Sequence, residues 1–118
     1  MKQEDNELLL KDLCGRLPYW VKCIIKPDGY VGVISSIESQ YGVVMFDDGR
    51  QEEICDIKPY LFPLSSMTEE QKREYIELLQ IGPATGIDWL NKNHFDYRGL
   101  IPLGLAIDAT GLNIYKEE

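Results

Sequence analysis

Two Asp-Gly turns, Asp28-Gly29 and Asp48-Gly49, lie between runs of β-branched and aromatic residues, and this spacing limits the fold more than any other feature. An Asp-Gly pair supplies the positive φ that a tight hairpin turn requires. Val21 to Lys26 leads into the first turn. Tyr30 to Ile37 leaves it, with Val31, Val33 and Ile37 on one face and Ile34 on the other. Gly32 inside that run reads as a bulge or a sharp bend. Ser39-Gln40 is a weaker turn, and Tyr41 to Phe46 is apolar on both faces, as suits a central strand. Arg50 to Ile57 mixes polar and apolar residues in the manner of an edge strand.

So few short strands cannot build a sandwich, which takes roughly seven. The economical fold is a strongly bent antiparallel β-meander of SH3-like or Tudor-like type over residues 20–57, closed so as to hide its edges. The fold class is therefore α+β, the meander packing with an N-terminal helix and C-terminal helices. Leucines 8, 9, 10 and 13 have helical spacing, and Asn6 fits an N-cap, which predicts a helix over 7–14. Lys58 to Leu64 reads as an extended connector because Pro59 and Pro63 interrupt it. Helices follow over 66–80 and 86–94. A capping box forms from Ser66 with Glu69, or equally from Thr68 with Gln71. Tyr75, Ile76, Leu78 and Leu79 are expected to be the buried stripe of the first of these helices. Residues 96–112 read as an apolar tail docking on the core, and Asn113 to Glu118 as loose.

At 118 residues the chain is expected to be a single domain, spanning 1–118. Its net charge of −8 is spread along the whole length, which argues against direct binding to a nucleic-acid backbone, since that draws on lysine and arginine. An acidic DNA mimic stays open. Three cysteines (Cys14, Cys23 and Cys55) show no CxxC spacing. With neither a signal peptide nor an apolar run near 18 residues in view, a cytoplasmic protein without a membrane partner is expected.

The aromatics Trp20, Tyr30, Tyr41 and Phe46 either line a binding rim or fill the core, and the core is the commoner fate. The densest cluster of functional side chains is His94-Phe95-Asp96-Tyr97-Arg98. The candidate binding residues are therefore His94, Asp96, Tyr97, Arg98, Trp89, Tyr41 and Phe46. His94 is the sole histidine, so a metal site with Asp96 or Asp88 lacks further ligands, and no metal or cofactor is expected. Asp96 also fits an N-cap and Arg98 an ion pair. No phosphate loop, dinucleotide fingerprint or nucleophile elbow is present.

Two segments, Lys58-Pro59-Tyr60-Leu61-Phe62-Pro63-Leu64-Ser65-Ser66-Met67-Thr68-Glu69-Glu70 and the run from Asp88 to Ala106, carry a resemblance. The chain resembles small uncharacterised proteins carried on prophages and mobile elements of gut anaerobic bacteria. The resemblance implies phage or mobile-element biology in the cytoplasm and brings no catalytic residue or cofactor. The leading expectation is a non-enzymatic protein-interaction module with an unknown protein partner. The alternatives are a small hydrolase or transferase using His94 with a nearby carboxylate, and the acidic DNA mimic.

Overall fold

A computed structural model describes residues 3–38 and 42–115. Tyr41, a candidate rim aromatic, lies outside the described residues. The fold class is α+β: among the described residues, three α-helices pack with one mixed seven-stranded sheet. Strand β1 (Lys22–Ile25) and strand β2 (Val31–Glu38) form the first hairpin, β3 (Val43–Phe46) and β4 (Gln51–Glu53) the second. β5 (Ile57–Pro63) folds back onto β1, and the short β6 (Phe95–Asp96) and β7 (Ile107–Asp108) pair parallel to β5. The order is β4-β3-β2-β1-β5-β6, with β7 also on β5.

The expected closed meander is thereby corrected to an open sheet. β4 and β5 are joined by a 3₁₀ turn, Ile54–Asp56, and share no ladder. β5 instead carries on past β1 to recruit the C-terminal strands.

Burial follows the alternation. Cys23 and Ile25 of β1 and Val44 and Phe46 of β3 point into the core, as do Ile34, Ile54, Ile57 and Leu61. Ile34 is the inward residue of β2 and Val31, on the opposite face by alternation, is exposed; a bulge at Ser35 then shifts the register between Ile34 and Ser36. Gly32 is not that bulge. Its place is fixed by the rings around it: a Cβ there would sit 2.8 Å from both Phe46 Cδ2 and Tyr30 Cε2. The two Asp-Gly turns are clipped together at the surface. The Arg50 guanidinium lies 4.5 Å over the Tyr30 ring and 2.7 Å from Asp28 Oδ2, and the Tyr30 hydroxyl donates to Asp48 Oδ2 at 2.5 Å.

β5 tolerates its prolines because of register. Lys26 N–H bonds the Asp56 carbonyl, so in this antiparallel ladder Cys23 and Pro59 face each other without exchanging hydrogen bonds. The Pro59 nitrogen thus points away from β1, where no donor is missed.

Helix α1 (Gln3–Arg16) starts before the expected residue 7, so Asn6 lies inside it rather than at its cap. Leu9 and Leu13 close the sheet from one side, and the turn-rich Leu100 to Ala106 joins the same core. Helix α2 (Glu69–Ile81) begins with the Thr68/Gln71 capping box. Gly82 separates it from α3 (Pro83–Lys92), which opens on Pro83. Trp89 and Leu90 of α3 with Phe95 form a second, smaller core, to which α2 lends only the half-buried Tyr75 and Leu78. The expected stripe of α2 is therefore half exposed, at Ile76 and Leu79, and Ile81 beyond it is exposed as well.

Candidate functional site

A cleft of about 590 Å³ opens where β1, β2 and β5 meet the end of α3. Its walls include Trp20, Lys22, Val33, Phe62, Lys92, Asn93, His94 and Tyr115. A volume of this size is typical of ligand sites. Each wall residue arrives there for a local reason.

Pro18 sets a single 3₁₀ turn, Leu17–Tyr19, after α1, and Trp20 ends it in the left-handed region at φ 55. That backbone swings the indole outward, and it is 73% exposed. α3 stops at Lys92, and the chain reverses through His94, also left-handed at φ 62. The His94 N–H donates to the Asn91 carbonyl at 3.1 Å, and its own carbonyl accepts from Phe62 N–H at 2.8 Å. Two of the three non-glycine residues with left-handed backbone among the described residues thus line this one cleft. Such conformations cost about 1–3 kcal/mol each and persist where the surroundings over-determine them.

The far wall is the C-terminal segment, which was expected to be loose from Asn113 and is instead pinned as far as Tyr115. The Tyr115 ring stacks on His94 with centroids 3.7 Å apart. Its hydroxyl accepts from Lys22 N–H at 2.8 Å and donates to the Tyr60 carbonyl at 2.7 Å. Burial drives the Tyr115 phenol pKa well above its usual range. Lys22 Nζ donates to the Ile114 carbonyl at 2.6 Å.

His94 is 91% out of solvent, and its Nδ1 has no hydrogen-bond partner among the described residues. Burial, then the charges of Arg16 and Lys22, push its pKa down to about 4, so the ring is neutral at pH 7.

The other candidates go elsewhere. Asp96 is buried and spends both oxygens on backbone amides, Oδ1 accepting from Leu100 and Oδ2 from Ile101, each at 2.9 Å. It is a turn cap. Arg98 Nε lies 3.2 Å from Asp12 Oδ1 as an ion pair without hydrogen-bond alignment, and its guanidinium covers the Tyr97 ring. Tyr97 donates to Asn91 Oδ1 at 3.0 Å. These groups surround the fully buried Arg16, which pairs with Asp12 at 2.7 Å and donates to the Phe95 carbonyl. Trp89 sits in the second core between Tyr75 and Phe95, its indole N–H bonded to Glu74. Phe46 is core. Of the described candidates, only His94 reaches the cleft.

Sequence reasoning missed Lys22, Lys92 and Tyr115 altogether. Trp20, weighed as a rim aromatic, was the one legible pointer. Elsewhere Glu53, Cys55 and Asp56 bring their ligand atoms within 4.8 Å of one another, the only such metal-capable group among the described residues. The Cys55 thiol there donates to the Glu53 carboxylate.

No family model, curated protein or solved structure matches the chain. The site must be read from its own geometry.

Proposed function

We propose that the chain is a non-enzymatic protein-interaction module of a phage or mobile element, acting in the cytoplasm. Its scaffold is an SH3-like or Tudor-like bent meander. The run β4-β3-β2-β1 followed by a last strand returning to β1 supports that scaffold, as does the 3₁₀ turn before β5. The sequence resemblance supports the phage association, and three free thiols suit a reducing compartment. No helix among the described residues is long and apolar enough to cross a membrane.

One observation carries the binding role: an indole held outward on a left-handed backbone at the mouth of an aromatic-walled cleft. Trp, Tyr and Arg are the residues on which interface energy concentrates, and this Trp stands beside a cleft that can seat a partner side chain. Acid–base chemistry is less well supported. No described residue lining the cleft is a carboxylate, Asp96 is already committed, and His94 stands between cations. A general base works best near the operating pH. An acidic mimic would engage its partner through carboxylate-bearing surfaces instead of this cleft.

Affinity capture with the full chain, set beside Trp20→Asn, tests the reading. Asn tolerates the left-handed backbone, so the fold is kept. A host protein retained by the parent and lost by the variant is expected. Equal capture by both, or capture by neither, would overturn it.

A further inference from the structure

The cleft is a cationic site in an acidic protein. Carboxylates outnumber basic side chains in this chain by 20 to 12. Yet the described lining holds Lys22, Lys92 and the neutral His94, and no Asp or Glu. At physiological salt, charges beyond about 8 Å are screened, so a ligand in the cleft meets these local cations rather than the net charge.

Donor bookkeeping points the same way. Lys22 gives one Nζ proton to Ile114, which leaves two of the three an ammonium carries. Lys92 is exposed and has no ion-pair partner among the described residues. Gln71 uses its carbonyl oxygen to cap α2, so its amide hydrogens stay free. The cleft holds unspent donors on Lys22, Lys92 and Gln71, flanked by the faces of Trp20, Phe62 and Tyr115.

The cleft also receives the C-terminal end of α3, whose carbonyls carry partial negative charge. A doubly charged phosphate is disfavoured there, and no arginine fork lines the site to offset that. A singly charged carboxylate fits better. Building on the interaction-module reading, we propose that the cleft recognises an acidic peptide segment of a partner protein. A carboxylate side chain meets the ammonium groups of Lys92 and Lys22, and an adjacent aromatic or aliphatic side chain packs on Trp20 and Phe62.

The test is selection of a random peptide library displayed on phage against the full chain. Counter-selection uses Lys92→Glu, an exposed change that breaks no described contact. Enriched peptides pairing Asp or Glu with a neighbouring apolar residue are expected. By fluorescence anisotropy they should bind Lys92→Glu about tenfold or more weakly, and the parent less tightly as salt rises. Enrichment of peptides lacking acids, or of acidic ones that bind Lys92→Glu equally well, would overturn the carboxylate inference and leave the module reading standing. Enrichment of nothing, with Trp20→Asn still capturing the same host protein as the parent, would overturn both.

Discussion

His94 concentrates the chemistry of this molecule in one side chain: buried, left-handed, stacked on Tyr115 and neutral. Its neutrality has a thermodynamic consequence. In the unfolded chain the imidazole takes up a proton near pH 6.5, whereas the folded protein resists protonation until about pH 4. Between those values the unfolded state binds more protons, so stability is complete above pH 6.5 and falls as the pH drops through the window. The loss amounts to about 3 kcal/mol on a single-site basis. Urea unfolding of the parent and His94→Asn at pH 7 and pH 5 checks this. The parent should lose stability between the two and the variant markedly less; equal losses would show that His94 is not the group responsible. The residue itself stood out in the sequence as the only histidine, but its partner did not. Asp96, two positions on, looks like a natural acid–base companion. It is turned away because two backbone amides, at Leu100 and Ile101, claim its carboxylate once the chain bends at Gly99. A contact between Tyr115 and His94 leaves no trace in spacing, since 20 residues and two short strands intervene.

At the scale of elements, α1 does more than cover the sheet. It carries a fully buried Asp12–Arg16 pair, with Arg98 joining from the segment after β6. Removing one member of such a group leaves charge buried without compensation. Asp12→Asn strands two guanidinium groups and is expected to cost about 3–5 kcal/mol in urea unfolding. The surface pair Arg50–Asp28 has the same 2.7 Å distance, but it is solvent-exposed and screened. Asp28→Ala should leave stability close to the parent's, and a loss matching that of Asp12→Asn would contradict this assignment. The leucine stripe of α1 was legible from its period; the charged pair one turn apart on its buried side was not, because Asp and Arg at i, i+4 look like an ordinary solvated face. β5 shows the opposite failure. Its prolines argued for a connector, and only the register against β1, which aims the Pro59 nitrogen away from that ladder, makes it an interior strand of the sheet.

For the molecule as a whole, the two Asp-Gly turns and the runs around them made the α+β class and the meander readable, because local periodicity and turn chemistry decide both. The openness of the sheet depends on where β5 goes after meeting β1, a long-range choice that turn residues do not encode. The same holds for the cleft, which is assembled from a turn after α1, the end of α3 and the C-terminal segment. Among the described residues, the exposed apolar groups include those of the Trp20 cleft and those of α2, Ile76, Leu79 and Ile81. Strain and unspent donors favour the first as the proposed recognition site. Hydrogen exchange of the full chain, alone and with its captured partner, decides between them. Protection gathered at Trp20–Lys22, Lys92–Phe95 and Thr110–Tyr115 is the predicted result; protection confined to Glu69–Ile81, with the cleft segments exchanging as in the free protein, would contradict the account.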